Sequence, residues 1–88
     1  MRNPHRIRPM LDVIGKIWSY EPDTRFNQLI DNLQWDFIKK EGNEKWSTRI
    51  TLESGYVTIV PDLFHVGDEE FRRFLDKKLE ELKNGEEN

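Results

Sequence analysis

Two histidines are the side chains in this sequence best suited to acid–base or metal chemistry at neutral pH. His5 has no carboxylate or second histidine at metal-ligand spacing, whereas His65 has Asp62 and Asp68 near it in the chain. An imidazole beside carboxylates can bind a divalent cation or act as a general base, but closeness within a linker sets no geometry. We therefore predict that both histidines are surface or linker residues. We predict no catalytic residue, metal site or cofactor.

Motifs of the common enzyme classes are absent from the sequence. The five glycines form no phosphate-binding pattern, and there is no nucleophile elbow, zinc-protease motif or calcium-loop spacing. The chain has no cysteine, which excludes disulfides, thiolate zinc sites and cysteine nucleophiles and is typical of a reducing compartment. Asp12 and Lys16 interrupt any apolar signal or membrane-spanning segment. These features predict a cytoplasmic protein that is not an enzyme and does not bind membranes.

A first amphipathic helix is predicted near the N-terminus, because apolar residues recur at three- and four-residue steps. They are Ile7, Met10, Leu11, Ile14, Ile17 and Trp18. Asn3-Pro4 is typical of a capped helix start, but Pro9 then requires either a kink or a start at Pro9 itself. Glu21-Pro22 ends the helix, since the residue before a proline disfavours the helical conformation.

Two further helices are predicted from the same spacing of apolar residues. One is predicted from a cap at Asp23 or Thr24 to about Lys40. The other is predicted to begin at Gly67, with acidic residues in its first turn, and to stop at Gly85. Their apolar faces comprise Phe26, Leu29, Ile30, Leu33 and Phe37 in the second helix and Phe71, Phe74, Leu75, Leu79 and Leu82 in the third.

Two β-strands are predicted between the second and third helices, where the apolar pattern changes from helical to alternating. The strands cover residues 48–53 and 56–60. Ser54-Gly55 between them suits a two-residue hairpin turn. That turn would place Leu52 opposite Val57 and Ile50 opposite Ile59 on one buried face.

The expected architecture is a small single α+β domain, α-α-β-β-α, with the β-hairpin packed against three helices. The chain has 88 residues, which is too short for two separate cores. The hairpin must pack on the helices because an isolated hairpin is barely stable in water. We place the domain at residues 1–85 and an acidic C-terminal tail at residues 86–88.

Charge is distributed unevenly along the chain, although the net charge is only −3. Residues 1–16 carry four basic and one acidic side chains, and residues 62–88 carry nine acidic and five basic ones. An acidic total disfavours general nucleic-acid binding, whose affinity depends on neutralising many phosphates. Nucleic-acid binding is therefore unlikely to be the main function and is kept as the alternative. The residues that would carry it are Arg2, Arg6, Arg8 and Arg25.

A protein-binding surface is predicted from residues that the helical patterns do not fully explain. These residues are Trp35, Trp46, Arg25, Gln28, Glu69 and Glu70. Exposed tryptophans are frequent in interface hot spots, although packing over the open end of the core is the other interpretation of both. Arg25 and Gln28 lie one turn apart and either bond a neighbouring helix end or project to a partner. The two glutamates belong to an acidic half that could compete with phosphate for a basic groove.

Several short motifs lie outside the predicted hairpin. They are Asn3-Pro4-His5-Arg6-Ile7, Ile17-Trp18, Pro22-Asp23-Thr24-Arg25, Gln28-Leu29-Ile30-Asp31-Asn32, Asp62-Leu63-Phe64-His65-Val66 and Asp68-Glu69-Glu70. As a set, they resemble a group of short, uncharacterised proteins of bacteria and their phages. The resemblance implies a microbial or phage origin and brings no catalytic residues with it.

These observations predict a non-enzymatic protein-interaction module. The resemblance implies an accessory protein of a phage or mobile element that binds and modulates another protein, and the acidic half suits a basic or nucleic-acid-binding partner. A small nucleic-acid-binding regulator is the alternative. A homodimer is compatible with the amphipathic third helix.

Overall fold

The computed structural model describes residues 3–40 and 44–87. Within these ranges the elements follow the order α-α-β-β-α, with a two-stranded antiparallel sheet, so the predicted α+β fold is confirmed. The helices are α1 (Ile7–Trp18), α2 (Phe26–Lys40) and α3 (Asp68–Glu87), and the strands are β1 (Ser47–Thr51) and β2 (Val57–Pro61). None of these helices combines the length and apolar character that crossing a bilayer requires.

The start of α1 accommodates both of its prolines. A 3₁₀ turn over Pro4–Arg6 precedes the helix, and the Asn3 side chain accepts a hydrogen bond from the His5 N–H at 2.9 Å. The α-helix begins at Ile7, which leaves Pro9 in its first turn, where a backbone N–H has no partner within the helix to lose. Asn3 therefore caps the 3₁₀ turn, whereas α1 begins after Arg6 without a side-chain cap, and the alternative start at Pro9 is wrong.

Trp18 fixes the turn between α1 and α2. Its indole N–H donates to the carbonyl oxygen of Thr24 at 2.7 Å, and its ring centroid lies 5.7 Å from that of Phe26. The carbonyl of Arg25 accepts the first hydrogen bond of α2. Arg25 is therefore the cap position, and the predicted cap at Asp23 or Thr24 is wrong.

The hydrophobic core lies between the three helices. Its buried side chains are Val13 and Ile17 from α1, Leu29, Leu33 and Phe37 from α2, and Phe74, Leu75 and Leu79 from α3. The apolar faces of α2 and α3 are largely as predicted, except that Phe26 is exposed. In α1 the structure differs from the prediction, because Val13 is buried while Ile7 and Leu11 face solvent.

The hairpin turn has three loop residues, where the sequence predicts two. The N–H of Leu52 donates to the carbonyl of Tyr56 at 2.7 Å, and the N–H of Gly55 donates to the carbonyl of Leu52 at 2.9 Å. Gly55 has a φ of +89°, the left-handed conformation that closes three-residue hairpin loops. The predicted two-residue turn is wrong.

One added loop residue changes which strand residues face each other. Thr51 lies opposite Val57, and Ile50 lies opposite Thr58, so the predicted register is wrong. Apolar side chains now occupy both faces of the sheet, and the predicted buried face does not form. The exposed fractions are 43% for Ile50, 48% for Leu52, 75% for Tyr56, 58% for Val57 and 47% for Ile59. The hairpin meets the helices at its base, where Val60 is half-buried.

Helix α3 starts where the sequence predicts and ends later. The carbonyl of Gly67 accepts the first hydrogen bond of the helix, from the N–H of Phe71 at 3.1 Å. The helix then continues through Gly85 to Glu87, so the predicted stop at Gly85 is wrong. Residues 86 and 87 of the predicted tail are helical, and Asn88 lies outside the described residues.

Candidate protein-interaction surfaces

Arg25 and Gln28 make a local contact at the start of α2. The side-chain oxygen of Gln28 accepts a hydrogen bond from the backbone N–H of Arg25 at 3.3 Å. This is one half of a capping box, in which the third helical residue satisfies the N–H of the cap residue. Gln28 therefore has a structural use within its own helix, whereas the Arg25 side chain remains exposed.

Trp35 borders a cleft between the helices. It is half-buried and lines an opening of about 370 Å³ together with Asp36, Lys39 and Lys78. The ammonium of Lys78 lies 2.6 Å from a carboxylate oxygen of Asp36, which joins α3 to α2 across this cleft. Trp35 is thus one member of a cleft with a mixed polar and apolar lining, and its side chain is not an isolated exposed anchor.

Trp46 packs against the core where the hairpin meets the helices. Its indole nitrogen is buried and has no hydrogen-bond acceptor among the residues that the structure describes. The Lys45 ammonium lies 5.2 Å from the ring centroid, a cation–π contact on the outer side of the ring. This position matches the core-packing interpretation of Trp46.

Glu69 and Glu70 lie in the exposed first turn of α3, where carboxylates favour the helix dipole. Neither makes an ion pair within the described ranges. Other carboxylates of α3 do so, because Asp68 lies 3.1 Å from Arg6 and Asp76 lies 3.8 Å from Arg72. The acidic surface that the sequence predicts is thus interrupted by cations.

Glu81 is the carboxylate of α3 whose ionisation is most affected by its neighbours. A hydrogen bond from the Lys40 ammonium, together with the charge of that ammonium, lowers the pKa of the Glu81 carboxyl below its ordinary value of 4.5. The charges of Lys78 and Lys77 act in the same direction. This pair ties the end of α2 to α3 at the surface.

The two histidines are exposed and lie apart from any cluster of metal ligands. Within the described part of the chain, no three side chains of the metal-binding types come close enough to hold an ion. The ring of His65 lies 5.0 Å from that of Phe64, which is itself 86% exposed. This linker therefore presents an aromatic surface.

An apolar strip on the outer side of α1 is the first surface that the sequence did not predict. Ile7 and Leu11 are one turn apart and are 48% and 58% exposed. Trp18 lies further along the same face of the helix and contacts Phe26, which is 50% exposed. We call Ile7, Leu11, Trp18 and Phe26 the α1 strip. Contiguous exposed apolar residues of this kind mark interaction sites more often than scattered ones do.

Cationic side chains border the α1 strip. Arg8 and Arg25 are exposed beside it, and neither makes an ion pair within the described ranges, whereas the exposed Lys16 lies on the opposite side of α1. Asp12 lies on α1 one turn from both Arg8 and Lys16, so the border is not uniformly basic. Beside the strip, Gly15 leaves open space, since a Cβ atom there would meet nothing within 4 Å.

The exposed hairpin is the second such surface. Its apolar residues were visible in the sequence, but their predicted pairing assigned them to the core.

Comparison of the chain with protein-family models, curated proteins and solved structures gives no match.

Proposed function

We propose that the chain is a non-enzymatic protein-interaction module that binds another protein through the α1 strip. The observation that carries this proposal is the exposure of Ile7 and Leu11 on the face of α1 that also holds Trp18, whose ring contacts the exposed Phe26. Covering a half-exposed aliphatic or aromatic side chain removes apolar area from water at roughly 25 cal/mol per Å². A partner that covers this strip therefore gains binding free energy without any rearrangement of the fold.

The charges around the strip favour an acidic partner segment. Arg8 and Arg25 have no carboxylate partner in the described ranges, and complementary charges at an interface rim speed association and set orientation. The best-fitting partner is an apolar helix or loop flanked by Asp and Glu. The uneven charge of the sequence alone favours a basic partner on α3, but several α3 carboxylates are already paired.

The biological setting that we propose is an accessory protein of a phage or mobile element, acting in the cytoplasm. This part of the proposal is supported by the resemblance of its short motifs to proteins of bacteria and their phages. Occupation of a partner's surface is the means by which such a module would modulate that partner.

A capture experiment with matched variants tests the proposed function. Tagged wild-type protein should retain a specific partner from a bacterial lysate, and the variant L11S/F26S should lose it with a reduction in affinity of about 30-fold or more. Both substituted side chains are about half exposed, so circular dichroism should show an unchanged fold. The control E69Q/E70Q alters the acidic first turn of α3 and should leave binding intact. Retention of the partner by L11S/F26S, or its loss in the α3 control, would contradict the proposal.

A nucleic-acid-binding regulator remains the second candidate, because Arg8 and Arg25 are exposed cations with no ion-pair partner in the part of the chain that the structure describes. Arg6 is instead paired with Asp68, and Arg2 lies outside the described residues. A gel-shift titration at low and physiological salt separates the candidates, since phosphate contacts weaken steeply with salt. The absence of any shift at low salt removes this function.

A further inference from the structure

One edge of the hairpin has backbone hydrogen-bonding groups that find no partner among residues 3–40 and 44–87. In an antiparallel pair, alternate residues exchange hydrogen bonds and the residues between them point their N–H and C=O groups outward. Leu52 bonds Tyr56, and Asp62 bonds Trp46, which fixes this alternation along both strands. The outward groups on β2 therefore belong to Val57 and Ile59.

Pro61 closes one end of the β2 edge and α2 contacts this strand, but residues 57–60 carry little protection against pairing. Natural proteins usually guard sheet edges with charged residues, bulges or a covering element. Residues 57–60 of β2 contain no charge and consist of β-branched residues, the type that favours extended backbone. Val57 is 58% exposed and Ile59 is 47% exposed, so neither is covered by a helix. The edge is available as a template for another strand.

The total surface of the molecule is large for its mass. The accessible area is 7134 Å² for 10.6 kDa, whereas a compact monomer of that mass exposes about 5,500 Å². The surplus is about 1,600 Å², and a standard interface buries about 800 Å² on each partner. The protein therefore exposes more surface than a compact monomer of its mass, and the exposed apolar side chains of the hairpin contribute to it.

We propose that the β2 edge pairs with the β2 edge of a second copy of this chain. In an antiparallel arrangement about a two-fold axis at Thr58, Val57 of each copy lies opposite Ile59 of the other, and the two exchange both backbone hydrogen bonds. In this register every outward N–H and C=O group of Val57 and Ile59 has a hydrogen-bond partner in the other copy. Pro61 ends the ladder on one side, because it has no N–H to donate.

The resulting sheet runs in the order β1–β2–β2–β1 and includes no residue of the α1 strip. Val57 and Ile59 of both copies become neighbours on one face, and the two Thr58 side chains meet on the other. A second copy supplies this register by symmetry, because the same two residues of each copy pair with those of the other. The inference is independent of the proposed function and uses a different surface.

The test combines oligomeric state with amide exchange in the full chain. Light scattering across micromolar to millimolar protein should show a monomer–dimer equilibrium. At concentrations where the dimer predominates, the amides of Val57 and Ile59 should exchange with deuterium about 100-fold or more slowly than in the dilute monomer. The amide of Arg49, which points outward from the opposite edge on β1, should not gain protection.

Variants on the two edges provide matched controls. I59P removes an outward donor from β2, and R49P removes the equivalent outward donor from β1, directly across the hairpin. I59P should abolish the dimer, and R49P should retain it. Because proline can also disturb the hairpin, V57K serves as a second variant at an exposed position. It should weaken dimerisation about 10-fold or more by placing like charges near the axis.

The outcomes separate this inference from the proposed function. A chain that remains monomeric at millimolar concentration overturns the inference, as does a dimer in which the amides of Val57 and Ile59 stay unprotected. Equal dimerisation of V57K and the wild type overturns it as well. Loss of the partner in L11S/F26S bears on the α1 strip alone, since that variant should still dimerise.

Discussion

Single polar side chains complete the helix ends of this protein. Asn3 binds the N–H of His5, Gln28 binds that of Arg25, and the indole of Trp18 binds the carbonyl of Thr24. Each contact satisfies a backbone group near a helix terminus that has no partner within the helix. Several residues that look available for recognition are therefore engaged within the fold.

The pair formed by Lys40 and Glu81 should make stability depend on pH. The lowered pKa of Glu81 means that the contribution of this carboxylate is fully present above the ordinary pKa of 4.5 and is lost as the pH falls through the lowered value. In K40M, an NMR titration should show the pKa of Glu81 raised toward 4.5. The difference in unfolding free energy between K40M and the wild type should disappear at more acidic pH.

The neighbouring Lys39 supplies the control for this prediction. It is exposed and makes no ion pair within the described ranges, so K39M should leave the pKa of Glu81 nearly unchanged. If K40M and K39M give the same titration curve for Glu81, Lys40 does not cause the shift.

The elements differ in how firmly the sequence specifies them. The helices follow from their apolar periodicity, because the repeat of each face matches the helical turn. The hairpin register does not follow in the same way, since Ser54-Gly55 suits a two-residue turn while Gly55 equally suits the last position of a three-residue loop. A one-residue change of register reverses the face of every side chain on one strand relative to the other.

Two glycines in different elements should respond in opposite ways to alanine. G55A should lower stability by about 1 kcal/mol, because alanine is strained at a φ of +89°. G15A should raise stability by about 0.5–1 kcal/mol, since Gly15 lies inside α1 and a Cβ atom there meets open space. Urea unfolding of both variants measures the two effects. Changes of the same sign would contradict the assigned backbone conformations.

The candidate surfaces were less predictable than the helices, because they depend on how the elements cover one another. Periodicity identifies the apolar side of α1, but it does not tell how much of that side α2 and α3 cover. Ile7 and Leu11 were therefore predicted as core residues together with Ile17, whereas the structure buries Ile17 and the unpredicted Val13 and leaves Ile7 and Leu11 exposed. Trp46 is the opposite case, a residue that the helical patterns do not assign to the core but that packs against it. Its place at the hairpin base depends on a contact between elements, which a local sequence pattern does not indicate.

The molecule as a whole is extended for its length. Its radius of gyration is 14.9 Å, whereas a compact domain of this size has a value of about 12 Å. The small core is confined to the helices, and the hairpin projects from them. Stability should therefore depend on a few side chains between the helices, in particular Leu33, Phe37 and Leu75, which are the most completely buried.

Truncation of Leu75 should remove a large part of the total stability. Leu75 is fully buried, and its replacement by alanine should cost about 2–5 kcal/mol, out of roughly 4–13 kcal/mol expected for a chain of this length. The control L11A changes the same residue type at a position that is 58% exposed and should change stability by only about 0.5 kcal/mol. Chemical denaturation of both variants gives the comparison, and similar losses would place Leu11 in the core.

The position of α3 after all the other described elements has a consequence for synthesis of the protein. Its side chains Phe74, Leu75 and Leu79 close the space between α1 and α2. Until they leave the ribosome, the nascent chain carries α1, α2 and the hairpin with their apolar faces uncovered. An uncharged β strand exposed at that stage can pair with neighbouring nascent chains or recruit a chaperone. Slow translation of the twenty residues of α3 would therefore lower the yield of folded protein.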